Sequence, residues 1–391
     1  MDATTTPILE IGVILLAAVA GGWLARRLGL PAIVGYLAVG LAFSPFTPGH
    51  VADPHRLELL ADVGVVLLLF EVGIEVDLTR LRRDHGPLLW AAPAQTLLST
   101  VIAGAVLAAV GLRPLTAALV GLCVALSSSV VIVNITVSRR RTTDRSTEQA
   151  LLGWSVLQDL VGVALAAILL AAIDPRGGTL PEAILGLVGF GVVSLAVARA
   201  LHLVLRGLRD QHDLFLIASV GSGLALAGLG AAAFGVPLAL AAFVGGLAVT
   251  ESHEANEARR RLRPFRDVFA VLFFVVIGTF IDPGKLGEAA PWVALLVALV
   301  IVAKVGLAWA LARAARLDVR PLQLAVGLGQ IGEFSFVLAS AGAAAGAIEP
   351  VLFTAIIAAV AVSIAASSIA VRLVPVPKPP ATPSQSPLGA T

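Results

Sequence analysis

The chain has 391 residues, of which 58% are hydrophobic and 13% charged, with a mean hydropathy of +0.96. Soluble domains run nearer 45–50% apolar and about 25% charged, and even a large soluble core needs a charged surface against water, so this composition excludes a soluble protein. The net charge of +2 does not point to nucleic acid: the arginines fall in short clusters between apolar runs, the pattern of membrane loops.

A membrane span needs about 20 apolar residues to cross a hydrocarbon layer of roughly 30 Å. Charge and turn clusters divide the chain into thirteen segments near that size, at 7–25, 31–44, 57–76, 87–110, 114–137, 147–172, 181–205, 213–233, 237–250, 265–281, 290–313, 321–345 and 351–374. The second and ninth are short. The first does not read as a cleaved leader, because Asp2 and Glu10 precede or enter it and Arg26 and Arg27 follow it. Basic residues after the first span favour an N-terminus outside. Alternating the loops from there puts 22 of the 27 basic residues inside and 4 outside, and the one left over is Lys304, deep inside a span. That asymmetry predicts a multi-pass protein of the cell (inner) membrane with its C-terminus in the cytoplasm.

Self-comparison reveals an internal repeat. Asp62-Val63, Val66-Leu67, Gly73 and Asp77 of the third segment match Asp267-Val268, Val271-Leu272, Gly278 and Asp282 of the tenth. With one residue of shift, Pro31, Gly40, Leu41 and Ala42 of the second align with Pro237, Gly246, Leu247 and Ala248 of the ninth. The copies are seven segments apart, an odd number, so they cross the membrane in opposite directions. The predicted fold is therefore an all-α membrane protein of about 13 transmembrane helices: two inverted six-helix repeats (about 7–172 and 213–374) joined by a linker helix (about 181–205). Such inverted repeats are the plan of many secondary transporters, with sites near the midplane on interrupted helices. The fifth helix of each half is the natural place for the interruption, and residues 376–391, rich in Pro, Ser and Thr, read as a disordered tail.

Polar side chains at membrane depth mark the site. Asp159 lies about twelve residues, roughly 18 Å, into the sixth segment, where a carboxylate must face protein or water and marks an ion path or a proton relay. Gln158 sits beside it, about 100° around the helix, placed to line or orient the site. Lys304 is equally deep in the eleventh segment and demands a partner, with Asp159 the first expectation and Glu333 the second. In the twelfth segment Gly327-Leu328-Gly329-Gln330-Ile331-Gly332-Glu333 formally satisfies G-x-G-x-x-G, but a dinucleotide site needs a preceding strand. Three glycines with Gln330 and Glu333 suggest a locally unwound helix instead, tolerated where the backbone lines a cavity or is buried in protein. The opposing counterpart is Ser127-Ser128-Ser129, followed by Asn134, whose hydroxyls can satisfy loosened backbone or coordinate a bare cation. Glu71, Glu75 and Asp62 near the ends of the third segment read as solvated or capping groups. One cysteine and six histidines placed near loops predict no metal centre beyond a transported cation, and no cofactor.

Taken together, Leu67-Leu68-Leu69-Phe70-Glu71-Val72-Gly73-Ile74-Glu75, Ser127-Ser128-Ser129, Gln158-Asp159, Leu272-Phe273-Phe274-Val275-Val276-Ile277-Gly278, Lys304 and Gln330-Ile331-Gly332-Glu333-Phe334-Ser335-Phe336 resemble the monovalent cation:proton antiporter-2 family. Within it the Gln-Asp pair is similar to that of Kef-type potassium efflux transporters, where related electrogenic exchangers carry Asp-Asp. The resemblance implies exchange of K+, with Na+ the alternative, for protons by an elevator-like movement in a homodimer, and no enzyme activity. Kef-type proteins usually continue into a cytosolic nucleotide-binding domain. Gating by glutathione or nucleotide within this chain is therefore not expected, which leaves room for a separate regulatory subunit. The basic stretch Arg139-Arg140-Arg141-Thr142-Thr143-Asp144-Arg145 either sets topology or attracts anionic membrane lipid. One exchangeable charge on Asp159 predicts electroneutral exchange. A cation channel and an organic-anion transporter on the same scaffold are the rival readings.

Overall fold

A computed structural model describes residues 5–47, 54–75, 86–128, 131–132, 143–173, 180–208, 210–249 and 255–374. The tail, Ser129, Asn134, Asp77 and the stretch Arg139–Thr142 lie outside them. Among the described residues every regular element is helical, and each of the thirteen expected segments holds one. They are α1 (Thr5–Arg27), α2 (Ala32–Ala42), α3 (Pro54–Glu75), α4 (Leu88–Ala109), α5 (Pro114–Ala125), α6 (Arg145–Ile173), α7 (Leu180–Gly207), α8 (His212–Phe234), α9 (Leu238–Val249) and α10 (Ala255–Thr279). The eleventh, α11, runs through Leu286–Leu299, a π-helical stretch Val300–Gly306 and Leu307–Ala314; α12 is split into Pro321–Gly327 and Phe334–Ala344; α13 is Pro350–Leu373.

Seven of these helices are long and apolar enough to cross a membrane by length and composition. The others depart for physical reasons that the sequence carries: α3 is long enough but holds Glu58, Asp62, Glu71 and Glu75. Helices α2 and α9 have 11 and 12 residues, about 18 Å at most. Helices α5 and α12 are interrupted, and α10 opens on Arg259, Arg260, Arg261, Arg263 and Arg266 before its apolar half begins. Large apolar side chains on α1 and α7, among them Leu16, Val19, Leu185 and Val192, are exposed. That is the surface a hydrocarbon surround requires.

Two packing groups emerge. Helices α4, α5, α6, α11, α12 and α13 pack on one another, and α1, α2, α3, α7, α8, α9 and α10 form the second group. They meet chiefly where α6 touches α7 and α9. In the second group the repeat is visible atom by atom. Gly40 of α2 lies against Gly278 of α10, and Gly246 of α9 against Gly73 of α3. These are the four glycines that the internal alignment pairs, each joined here to the other helix type of the opposite half.

Glu71 departs from the solvated or capping role expected for it. It is buried in α3, and Arg259, Arg263 and Arg266 of α10 converge on it at 2.7, 3.5 and 2.7 Å. A buried carboxylate persists only when paired and hydrogen-bonded, so the arginine cluster of α10 is the reason Glu71 can sit there. The cluster therefore ties the two repeats together as well as marking a membrane boundary.

Candidate ion-binding site

The site is built where α5 and α12 stop being helical. Helix α5 ends at Ala125, and Leu126 adopts an extended conformation. The chain continues without helical structure through Ser128, and helical bonding resumes with Ile132 N–H donating to Ser128 O at 3.1 Å. Helix α12 breaks after Gly327 and restarts at Phe334. The two non-helical segments cross. Gly332 N–H donates to Leu126 O at 2.9 Å, and the Ser127 hydroxyl donates to Leu328 O at 2.9 Å. A Cβ on Gly332 would stand 2.6 Å from the carbonyl carbon of Ser127, so glycine at 332 is what lets the backbones touch.

An unwound helix in a membrane exposes carbonyls and N–H groups that must be satisfied internally, and neighbouring side chains do this. Ser367 of α13 donates to Val326 O at 2.8 Å, Ser363 accepts from Ile331 N–H at 3.0 Å, and Ser335 donates to Cys123 O at 2.8 Å. Ser128 accepts from Val131 N–H at 3.2 Å, as a helix cap does, and donates to Glu333 Oε2 at 3.1 Å. Glu333 in turn stands at the start of the second half of α12, where the helix dipole favours an anion.

Lys304 projects from the π-helical stretch of α11. It is fully buried, and its Nζ donates to Leu126 O at 2.6 Å and to Gln330 O. One ammonium thus bridges both broken helices. The expected partner was a carboxylate; the hydrogen bonds instead go to two backbone carbonyls at the crossing, and Asp159 lies within electrostatic range of the ammonium. The carbonyl ends of helices carry partial negative charge, which is why a lysine can be held there.

Asp159 and Gln158 both lie buried on α6, with 2% and 0% of their surfaces exposed. Gln158 Nε2 donates to Ala125 O, the last helical carbonyl before the break, at 3.3 Å. Gln330 does the equivalent from the other side, with Nε2 donating to Ser128 O at 3.2 Å and Gly327 O at 3.4 Å. The Oε1 atoms of both glutamines are buried and accept no hydrogen bond among the described residues. Seven of the eight residues named from the sequence, Asp159, Gln158, Ser127, Ser128, Glu333, Gln330 and Lys304, are therefore buried at or beside one crossing, and Ser129 lies outside the described residues.

Sequence reasoning missed the supporting chain on α4. Gln95 Oε1 accepts from Trp154 Nε1 at 3.1 Å and from Gln158 Nε2, while Gln95 Nε2 donates to Ser99 Oγ at 2.7 Å. Ser99 donates onward to Ala303 O, beside Lys304, at 2.5 Å. The available signal was the spacing of Gln95 and Ser99, one helical turn apart within an apolar segment.

The fold as a whole matches the sodium proton antiporter MjNhaP1 from Methanocaldococcus jannaschii, with a TM-score of 0.76 over 94% of this chain and 97% of that one, at 17% identity. YbaL of Escherichia coli (strain K12) is 33% identical over 362 residues, covering 87% of this chain and 63% of its own length. The glutathione-regulated potassium-efflux system protein KefC of Salmonella heidelberg (strain SL476) is 31% identical over 371 residues, covering 90% and 57%. The chain spans about three fifths of the length of these curated relatives. Together they bear out the Kef-type resemblance read from the residues. The sequence matches the description "Sodium/hydrogen exchanger, transmembrane" from residue 14 to residue 374, and the chain belongs to that family of transporters.

Proposed function

We propose that the chain exchanges a monovalent cation for protons by alternating access, with cation and proton competing for the Asp159 carboxylate. The observation that carries this reading is the crossing itself: a buried acid beside two interrupted helices, with Lys304 bridging both. Potassium is the favoured cation, because the relatives named above include a potassium-efflux protein and the Gln158-Asp159 pair is of that type; sodium is the alternative. Burial disfavours a bare carboxylate, so Asp159 is charged only when a cation or the lysine balances it, and protonated otherwise. A cytoplasmic cation displaces the proton, and a proton arriving from outside displaces the cation. Only the charge-compensated state of the group α4, α5, α6, α11, α12 and α13 crosses, by sliding against the second group in an elevator-like movement. Gln158 stands where a second acid would be, which makes the exchange one-for-one and electroneutral, with Glu333 held by Ser128 and the α12 dipole.

On this reading the protein works as a homodimer in the inner membrane, with its N-terminus outside and its C-terminus in the cytoplasm. The test is cation-driven proton movement in proteoliposomes carrying a pH dye. Asp159→Asn abolishes it; substantial exchange in that variant removes Asp159 from the centre of the mechanism. With voltage clamped by an ionophore, exchange driven by voltage alone rejects electroneutrality, and cation flux without opposing proton flux makes the protein a channel.

A further inference from the structure

The Gln95 chain fixes more than helix positions. An indole N–H donates and never accepts, so the Gln95 atom facing Trp154 Nε1 at 3.1 Å is its oxygen. That same oxygen faces the amide of Gln158, so the Gln158 group pointing at it is the nitrogen. The nitrogen also faces Ala125 O at 3.3 Å, a second acceptor. Both Gln158 amide protons are thereby committed, and the orientation of the side chain follows from the indole alone. Gln95 is held from its other end as well. Its nitrogen donates to Ser99 Oγ, whose own proton goes to Ala303 O, so each bond of the chain sets the direction of the next.

What is left over is Gln158 Oε1. It is buried, accepts no hydrogen bond among the described residues, and belongs to the residue adjoining Asp159. A buried amide oxygen without a donor carries a desolvation cost, which the fold could have avoided by letting the amide turn over. The Trp154 and Gln95 side chains forbid that turn.

We infer that Gln95, locked by Trp154, is a positioning residue that presents Gln158 Oε1 as a neutral oxygen ligand to the transported cation. The inference rests on the exchange reading above and adds to it how the ligand is aimed. It parallels metal sites in which an outer partner orients the inner ligand, where loss of the partner typically weakens affinity about 10- to 100-fold. The second end of the chain, at Ala303 O, puts the aim of Gln158 and the seat of Lys304 on the same support.

The test compares Gln95→Met, which keeps volume and removes both polar atoms, with Trp154→Phe, which removes only the indole donor. In proteoliposomes Gln95→Met raises the KM for K+ about tenfold and leaves kcat at saturating K+ within about twofold; Trp154→Phe shifts KM the same way by less. K+-dependent thermal stabilisation of the purified protein reads binding apart from transport, and Gln95→Met requires correspondingly more K+ for the same shift. A Gln158→Glu background supplies the check that a structural role would not meet. A carboxylate has no amide to orient, so adding Gln95→Met there changes K+ affinity less than twofold. An unaltered K+ dependence in Gln95→Met and Trp154→Phe, or an equal shift in both backgrounds, overturns the inference. Absence of exchange in the unmodified protein while K+ stabilisation keeps its Gln95 dependence rejects the exchanger and leaves the positioning role standing.

Discussion

Gly40 and Gly278 meet backbone to backbone: a Cβ on Gly40 would lie 2.7 Å from Gly278 Cα, and one on Gly278 would lie 2.8 Å from Gly40 Cα. The inverted repeat reproduces the contact, with a Cβ on Gly246 standing 3.1 Å from Gly73 Cα and one on Gly73 standing 3.0 Å from the Gly246 carbonyl carbon. Small residues at crossing points are how membrane helices approach closely without a hydrophobic driving force between them. Replacing Gly278 by Val forces α2 and α10 apart, and overpacking of this kind costs roughly 1–3 kcal/mol. The expected result is a lowered melting temperature in detergent, with Gly73→Val doing the same. A variant that melts with the parent protein shows that the helices separate without cost.

Lys304→Met tests whether the ammonium is structural as well as electrostatic. The substitution strands Gln330 O and leaves Leu126 O with the Gly332 N–H alone, and an unsatisfied buried acceptor costs about 1–3 kcal/mol. Exchange is lost together with a clear drop in melting temperature. Asp159→Asn loses exchange with a smaller drop, since both carbonyl bonds of the Lys304 ammonium stay in place. Equal stability of the two variants contradicts the bridging role.

Glu71→Gln leaves Arg259, Arg263 and Arg266 converging on a neutral amide. Removing one partner of a buried ionic cluster is costly, about 3 kcal/mol at the lower end of the measured range. Because the remaining arginines are partly exposed, with 19–51% of their side-chain surface accessible, salt screens their mutual repulsion. The melting deficit should therefore shrink as ionic strength rises; a salt-independent deficit points to lost packing instead.

Acid sensitivity follows from Glu257, in the first turn of α10. Burial raises its carboxyl, but hydrogen bonds and charge from Arg261 and Arg260 outweigh that and hold it below its ordinary value. A carboxyl depressed in the folded state contributes stability above its unfolded value and loses it as the pH falls through the folded one. Glu257→Gln is expected to lower stability at neutral pH and to flatten the acid limb of a melting-temperature profile. Parallel profiles for parent and variant would show that the pair contributes nothing there.

The sequence was legible where physics writes a period or a depth. Hydropathy placed the helices α1 to α13, and the repeat was readable because the same glycines serve both halves of a two-fold arrangement. Asp159, Gln158, Lys304 and the crossing residues stood out because charge and amide at membrane depth need a reason. Gln95, Ser99 and Trp154 did not, since a polar or indole side chain in an apolar segment commonly bonds its own helix and only the fold brings these together. Glu71 was misjudged for a related cause: its three partners lie 188 to 195 residues away in the chain, and nothing near position 71 announces them.

Lys304 lies on the wide turns of Val300–Gly306, where a helix accommodates one residue beyond the regular count. The direction in which the ammonium points is thus set by the number of residues preceding it and not by their chemical kind. A scan that swaps side chains one by one will pass over this determinant, whereas deleting a single exposed position such as Val302 would tighten the coil and swing the amine away from its carbonyls. Part of this site's geometry is stored as length.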